Sequence, residues 1–184
     1  MACELTCSLP GAGHPRVPSS ATSERIPPYS SPIRSATSAD AGALAELRWE
    51  FRTGRLPPEE AHDAFVKRCA PWMRRELATG NAWRAWVAVA NRTIVGHVWL
   101  NTLHKIPNPV GELESHAYLS NLYVKPTERG GTGTELLDTA IKWSQTNGID
   151  RVVLWPSPRS VTLYLRHGFS HGGEVMELNV SRRR

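Results

Sequence analysis

The 184-residue sequence contains only three cysteines, and their positions exclude the usual structural roles of this residue. Cys3 and Cys7 lie in a segment rich in Pro, Ser, Gly and Ala, and Cys69 stands alone. A disulfide framework or a four-ligand zinc site needs more cysteines at defined spacings. The histidines between positions 97 and 171 also lack the spacing of a metal site within one helix or knuckle. We therefore expect no metal.

Long apolar runs are also missing. No run approaches the ~20 residues that span a bilayer, and the N-terminus lacks the continuous apolar stretch of a secretory signal. With 40% hydrophobic residues, the chain can still bury a core of ordinary size. The sequence predicts a soluble, cytoplasmic protein with no membrane partner.

The chain has no evident basic face, although its net charge is +5. The arginines at 182–184 account for three of these charges, and residues 1–30 are neutral overall. Charge distributed in this way does not predict a nucleic-acid surface. Contact with nucleic acid or a ribosome through the arginine tail stays open as an alternative.

Composition and periodicity divide the chain into a leader, one domain and a short tail. Residues 1–31 lack sustained periodicity, which is typical of a disordered leader. Residues 32–181 form the domain, and residues 182–184 form the basic tail. The order of elements is β, α, α, three strands, α, β, α, β, which predicts a single α/β domain with a mixed sheet.

Local signals predict the boundaries of the first two helices. Thr37 and Asp40 form a capping-box pattern before the first helix. The second helix is predicted to begin at Pro57 and to end at Thr79. Pro71 is expected to kink or divide it.

Turn residues predict the later boundaries. The pair 91–92, Asn-Arg, predicts a tight hairpin between two β-rich runs. Ser157 is expected to cap a short helix that continues through Leu165 and ends at Gly168. The alternating residues 174–180 predict a final strand, which could pair across a two-fold axis in a homodimer.

The most informative stretch is residues 121–137, in which an apolar strand leads through a glycine-rich turn into a helix. Glycines at 130, 131 and 133 are expected to take positive φ, so that several N–H groups point into one concavity. The helix, expected to begin near Thr134, adds its free N-terminal donors and the positive end of its dipole. Such a turn binds phosphate, preferably pyrophosphate.

Two familiar phosphate-binding loops do not fit this stretch. A Walker A loop ends in Gly-Lys-Ser/Thr, whereas Gly133 is followed by Thr134 and Glu135. A Rossmann fingerprint places an acidic residue at the end of the next strand, whereas Asp150 precedes that strand.

The stretch resembles the acetyl-CoA loop of the GNAT N-acetyltransferase superfamily. The family pattern is a hydrophobic strand, then Val-x-Pro-x-x-Arg-Gly-x-Gly-x-Gly/Ala, then a helix that opens with paired leucines. The matching residues are Val124, Pro126, Arg129, Gly130, Gly131, Gly133, Leu136 and Leu137. The loop is one residue shorter than the family pattern. The resemblance covers about residues 33–180 and implies a central mixed sheet, flanked by helices, in which two neighbouring strands splay apart and admit the cofactor.

The resemblance also implies acetyl-CoA as cosubstrate and assigns residues to it. The main chain of the motif strand holds the pantetheine arm like an added strand, at Leu122, Tyr123 and Val124. The pyrophosphate is assigned to Arg129, Gly130, Gly131, Thr132, Gly133 and Thr134. Ser157 occupies the position where the family often has an asparagine that touches the cofactor.

Tyr164 is the second residue that the resemblance identifies. The family often has a tyrosine four residues before a Gly-Phe pair, and its hydroxyl can protonate the CoA thiolate. Tyr164 precedes Gly168 and Phe169 by this spacing. We expect Tyr164 to be the catalytic acid; the alternative is a packing aromatic with an exposed hydroxyl.

No general base stands out in the sequence. Polyamine-type relatives carry an acidic pair where this chain has Ser120 and Asn121. Glu112 and Glu114 precede the motif strand, where an amine would enter, and we predict that they attract the acceptor. The groups that could act as a base, directly or through water, are Glu50, Glu112, Glu114 and His116, all of which are also typical solvated surface groups.

These observations predict an N-acetyltransferase that uses acetyl-CoA to acylate a primary amine of a small-molecule or peptide acceptor. Transfer would occur by direct attack in a ternary complex, which needs positioning and carbonyl polarisation more than a protein nucleophile. The alternative on the same fold is a non-catalytic CoA-binding or regulatory module, which the missing strand acid and the shortened loop suggest.

Overall fold

The computed structural model describes residues 32–111 and 114–171. In this part of the chain, five strands form one mixed sheet in the order β1-β2-β3-β4-β5, together with four α-helices. The elements are β1 (Ile33–Ser35), α1 (Ala41–Thr53), α2 (His62–Thr79), β2 (Trp83–Ala90), β3 (Thr93–His104), β4 (Ser115–Val124), α3 (Thr132–Thr146), β5 (Arg151–Val153) and α4 (Val161–Arg166).

Three of the predictions lie outside the described residues. They concern the leader 1–31, the final strand 174–180 with its pairing across a two-fold axis, and the arginine tail 182–184. Within the described ranges, no helix combines the length and the hydrophobicity that crossing a bilayer requires.

The antiparallel part of the sheet is built on the predicted hairpin. β2 and β3 are paired as far as Ala90 and Thr93. The two turn residues, Asn91 and Arg92, have φ of 48° and 63°, and positive φ at both central positions is what a type I′ turn requires. The predicted hairpin is confirmed.

β3 separates two halves of the core because successive side chains of a strand point to opposite faces of the sheet. Val98 and Leu100 pack with Leu136 of α3, whereas Trp99 packs with Leu44 of α1 and with residues of α2. The sheet is therefore a layer between α1 and α2 on one face and α3 on the other.

The first helix begins where the capping pattern predicts. The Asp40 carboxylate accepts two hydrogen bonds from Arg34, each of 2.8 Å, and one from the Thr37 N–H at 2.7 Å. The Arg34 guanidinium, helped by Thr37, lowers the pKa of Asp40 to about 2. A 3₁₀ turn, Ser38–Asp40, leads into α1, and Gly54 follows its last residue.

The predicted start of the second helix is wrong. α2 begins at His62, after Ala61 in an extended conformation with ψ of 148°. The segment from Pro57 stays outside the helix, in part because a residue that precedes a proline avoids the helical conformation. Pro71 lies inside α2 without dividing it. An interior proline costs about 3 kcal/mol, and packing of the neighbouring Met73 in the core helps to offset this cost.

The prediction that Ser157 caps the short helix is also wrong. Ser157 lies in a turn, where its carbonyl accepts the Ser160 N–H at 2.8 Å. The N-cap is Ser160, and α4 begins at Val161. Gly168 follows the helix with φ of 84°, in agreement with its predicted role as the helix end.

Gly96 of β3 generates a stability prediction because a side chain there has no room. A Cβ would lie 3.0 Å from both the Tyr123 carbonyl oxygen and Val124 Cγ2, and 3.3 Å from Leu136 Cδ1. We expect Gly96→Ala to lower the free energy of unfolding by about 1–3 kcal/mol through overpacking. Gly42→Ala in α1 is the control: its Cβ meets nothing within 4 Å, and alanine gains up to about 1 kcal/mol in a helix. Urea denaturation measures the free energy of unfolding of both variants. Equal values for Gly96→Ala and Gly42→Ala would contradict the expected clash.

Candidate active site

The second half of β4 has one edge without a strand partner. β5 pairs with β4 in parallel only from His116 and Arg151 to Tyr118 and Val153. Over residues 119–124, no described strand bonds to this edge. The two strands therefore part, as the resemblance implies, and they leave a cleft of about 600 Å³. Main-chain groups along an open edge can pair with a ligand as they would with another strand.

The cleft brings together most of the predicted site residues. Its walls come from β4, from the loop before α3, from α1 and from the segment that leads into α4. The predicted residues that line it are Leu122, Tyr123, Val124, Arg129, Gly130, Gly131, Gly133, Thr134, Ser157 and Tyr164. Thr132 is instead buried, and its hydroxyl donates to the Glu128 carbonyl at 3.0 Å, which ties the loop to the first turn of α3.

Two glycines give the loop its shape. Gly130 and Gly131 have φ of 149° and 122°, a region that residues with a Cβ avoid. No heavy atom lies within 4 Å of the point where a Cβ would stand on either residue, so the space beside the main chain is open. The expectation of positive φ at Gly133 is wrong. α3 begins at Thr132 and not near Thr134, which places Gly133 in its first turn.

The start of α3 faces the cleft and fits an anionic group. The first N–H groups of a helix have no intrahelical acceptor, and the helix dipole is positive at this end. Gly133 and Thr134 line the cleft, and Arg129 adds a guanidinium beside them. A diphosphate would meet main-chain donors and a cation, with no Cβ on two of the loop residues. These features fit the coenzyme that the resemblance implies.

β4 carries a bulge beside its open edge. His97 of β3 pairs with Tyr123 of β4, and Trp99 pairs with Ser120. Between these two pairs β3 advances by two residues and β4 by three. Asn121 lies within this step in a left-handed conformation, with φ of 54°. Asparagine tolerates this conformation better than most residues with a side chain. A bulge bends its strand and re-aims nearby groups, and here it does so at the cleft wall.

Tyr164 reaches the cleft from α4. Its side chain is 9% exposed and packs edge-on against Phe169, with the ring centroids 5.5 Å apart. Burial raises the pKa of Tyr164, and the charge of Arg55 opposes this rise only in part. The hydroxyl is therefore protonated at neutral pH, as a proton donor must be.

No acidic residue that the sequence suggested is among the described residues that line the cleft. Glu112 lies outside the described residues. Glu114 does not line the cleft, and its carboxylate accepts the N–H of Asn108. The two other candidate bases are paired with charged neighbours, Glu50 with Lys125 at 3.2 Å and His116 with Asp150 at 3.2 Å.

A group of arginines lines the cleft that was not predicted from the sequence. Arg48, Arg52 and Arg55 lie on or just after α1 and line the cleft together with Arg129 and Arg159. No Asp, Glu or His occurs among the described residues that line it. Arg48 and Arg52 are spaced i and i+4, so they share one face of α1, and Arg55 follows two residues after the helix ends at Thr53. This spacing is the only feature of the sequence that indicates the arginine group. It does not show which part of the fold the arginines face.

A buried histidine lies on β3, on the face of the sheet that carries α1. His97 has no exposed surface, and the Trp99 Nε1–H donates to its Nδ1 at 3.0 Å. The proton of the neutral ring is therefore on Nε2, which has no partner among the described residues. Burial, followed by the charge of Arg48, lowers the pKa of His97 to about 3. His97 is consequently neutral and too weak a base to deprotonate an amine.

The parted sheet, the glycine loop and the helix start that faces it define an acetyltransferase type of fold. Residues 43–169 match the model of the acetyltransferase (GNAT) family. Because this match spans more than half of the chain, the protein belongs to the GNAT acetyltransferase family. Acetyl-CoA is the acyl donor of this family. No curated protein sequence is significantly similar to the chain.

Several solved structures share the fold. A predicted acetyltransferase from Clostridium acetobutylicum, solved with acetyl-CoA, is 24% identical with a TM-score of 0.67, over 81% of this chain and 96% of that one. A ribosomal-protein-alanine N-acetyltransferase from Brucella melitensis is 18% identical with a TM-score of 0.58, over 82% and 98%. An aminoglycoside acetyltransferase from a soil metagenome, solved with sisomicin, is 15% identical with a TM-score of 0.60, over 83% and 96%.

The environment of His97 predicts a pH-dependent stability. The folded protein keeps His97 neutral, whereas the unfolded chain binds a proton below about pH 6.5, so protonation favours unfolding. We expect the wild type to lose up to about 1.4 kcal/mol for each unit of pH below 6.5 through this residue. His97→Asn, which keeps an acceptor for Trp99, should show a slope smaller by this amount in urea denaturation. Equal slopes, or an NMR titration of native His97 near pH 6.5, would contradict the prediction.

Proposed function

We propose that the protein is an N-acetyltransferase that transfers the acetyl group of acetyl-CoA to a primary amine by direct attack in a ternary complex. The observation that most supports this is the open edge of β4 over residues 119–124, which leads through a short 3₁₀ turn, Pro126–Glu128, into the glycine loop. Acetyl-CoA joins a peptide-like thiol arm to a diphosphate. A site in which an open strand edge continues into an anion loop suits both parts of this molecule.

We assign the pantetheine arm to Leu122, Tyr123 and Val124, and the diphosphate to loop residues 129–134. The main chain of β4 would bond the amides of the arm as it would bond an added strand. The arm then runs from the loop back along β4 toward the bulge at Asn121. Its reactive end consequently lies near that bulge. When bound, the thioester supplies an activated acetyl group there.

Tyr164 is the proposed proton donor in this reaction. As the new C–N bond forms, the C–S bond breaks, and Tyr164 Oη gives a proton to the leaving sulfur. The nitrogen loses one proton to water, and Tyr164 is then reprotonated from water. Its raised pKa keeps that proton in place until it is needed. The position of Tyr164 on the wall of the cleft that also contains the open edge of β4 supports the role.

The acceptor amine must attack as the free base. Glu112 and Glu114, suggested by the sequence, stay proposals for a base or for a group that attracts the acceptor, and the position of Glu114 outside the cleft wall does not favour it. Transfer without a protein base on the cleft wall is the simpler proposal. The fraction of free amine would then come from equilibrium with solvent.

The proposed acceptor is a primary amine of a small molecule or of a peptide. The fold itself serves both kinds, since the Brucella relative is named for a protein alanine and the soil enzyme was solved with sisomicin. A non-catalytic CoA-binding module is not favoured, because Tyr164 lines the same cleft as the open strand edge.

The glycine loop gives a test of coenzyme binding. Gly131→Ala should weaken CoA binding by at least about 10-fold, since alanine is strained by more than 1 kcal/mol at φ of 122° and would distort the loop. Gly80→Ala is the matched control, because Gly80 also has positive φ, of 60°, but caps α2 away from the cleft. This variant should lose stability and keep its CoA affinity. Titration calorimetry with CoA measures both, and undiminished binding by Gly131→Ala would contradict the assignment.

The role of Tyr164 predicts a kinetic effect without a binding effect. Tyr164→Phe removes the hydroxyl and keeps the packing against Phe169. We expect kcat to fall by about 100-fold, a typical contribution of general acid catalysis, while CoA affinity stays the same. Thiol release during turnover and CoA titration measure the two quantities. Wild-type kcat in the variant would remove Tyr164 from the mechanism.

A further inference from the structure

The charge of the cleft is one-sided among the described residues. Five arginines line it, and no Asp or Glu does. Two of them, Arg129 and Arg159, lie with the glycine loop and the turn before α4, where an anionic coenzyme is proposed to bind. The other three belong to α1 and the residues that follow it. They are not needed to explain the binding of the diphosphate.

Arg48 is the least explained of the three α1 arginines. Its side chain is half-buried, and its hydrogen-bond partner is the side-chain oxygen of Asn121, which is neutral. No described carboxylate pairs with it. Burial, and then the charge of Arg52, lowers the pKa of Arg48. Removing a charge from water without a counter-ion is costly, so the fold holds Arg48 in place at a cost in stability.

The surroundings of Arg48 offer hydrogen-bond donors and lack acidic acceptors. The positive charge of Arg48 helps to lower the pKa of His97, so the two side chains interact. The His97 Nε2–H is buried without a partner among the described residues. Arg52 has no carboxylate partner in the described part of the chain, although its place in the last turn of α1 also suits the helix dipole. The two acids of α1 already have other partners. Glu46 lies 2.7 Å from His62 Nε2, and Glu50 is bound by Lys125 at 3.2 Å and by Tyr123 Oη at 3.4 Å.

The position of Arg48 relates it to the acceptor rather than to the coenzyme. Its partner Asn121 is the bulge residue, three residues before Val124 and further from the glycine loop. In the proposed binding mode, the reactive end of the coenzyme lies at this bulge. An amine that attacks there would bring its neighbouring atoms next to Arg48.

We infer that the acceptor carries an anionic group, a carboxylate within a few bonds of its amine, and that Arg48 binds it with Arg52 beside it. The substrate class is therefore the amino acids and similar amino carboxylates, not polyamines or aminoglycosides. A guanidinium presents two parallel donors that match a carboxylate. The inference rests on the proposed acetyl transfer. A phosphonate would present similar chemistry, so the test includes one.

The first experiment uses the wild-type protein and needs no variant. Thiol release from acetyl-CoA is measured with the L-amino acids, each matched with its amide, and with 1-aminoethylphosphonate beside alanine. We expect kcat/KM to be at least about 10-fold higher for the preferred amino acid than for its amide, the typical effect of a charge-assisted hydrogen bond. An amide has the less basic amine and so more free base, so this preference would not come from protonation of the amine.

Three outcomes would overturn the inference. They are a preference for amides or polyamines, a preference for the phosphonate over alanine, and the absence of turnover with every amino carboxylate. CoA titration separates these results from failure of the proposed function. If CoA binds and another amine is acetylated, the function stands without the inference. If CoA does not bind, both fall.

The second experiment assigns the preference to Arg48. Arg48→Met should raise the KM for the amino acid by about 10-fold or more and leave the KM for its amide and for acetyl-CoA unchanged. Arg48→Lys should recover part of the loss, and Arg74→Met, at an exposed arginine of α2 outside the cleft, should have no effect. A rise in the KM for acetyl-CoA would assign Arg48 to the coenzyme and overturn the inference. If Arg48→Met does not fold, the variant Arg52→Met, at an exposed position, provides the second measurement. Its kcat/KM for the amino acid relative to the amide should be lower than that of the wild type.

Discussion

β4 pairs with β3 along most of its length but with β5 at only three positions. The unpaired edge over residues 119–124 is the constraint on which the site depends, because its main-chain groups need partners from water or a ligand. β5 does not supply them, because the chain leaves the strand after Val153 and then forms a turn closed by the hydrogen bond from the Ser160 N–H to the Ser157 carbonyl. The glycine loop follows the same edge after a short 3₁₀ turn, Pro126–Glu128. One coenzyme can therefore bond to the main chain of the edge and to that of the loop.

The site concentrates features that cost stability, and the core on both faces of β3 offsets them. Asn121 is held at positive φ, and neither the half-buried Arg48 nor the His97 Nε2–H finds a counter-ion or partner, respectively, within 32–111 and 114–171. Such features persist only where the surrounding packing holds them. Trp99 and Leu100, both almost fully buried, anchor the strand from opposite faces. A rigid sheet therefore holds a strained cleft wall in position.

The sequence predicted those parts of the site whose signals are local. The hairpin at 91–92 and the loop glycines have turn chemistry that only a few residue types supply, and the family spacing identified Tyr164. The start of α4 was misplaced because serine is an equally good N-cap at 157 and at 160, and Ser160 takes the position without a side-chain capping hydrogen bond. The position of Arg48 depends on how α1 crosses β4, which no spacing within α1 encodes. Tertiary placement, and not local propensity, therefore decides the position of Arg48.

If the proposed transfer to an amine takes place in this cleft, the arginines would also affect how the amine becomes reactive without a described carboxylate or histidine on the wall. Positive charge disfavours the protonated form of a bound amine and lowers its pKa. A cationic polyamine would be repelled, whereas an amino carboxylate brings its own negative charge to Arg48 and leaves its amine beside other arginines. The same charges would thus select an anionic acceptor and favour its neutral amine. A base on β4 is then less necessary, which gives Ser120 and Asn121 a physical reason to stand where polyamine-type relatives carry acids.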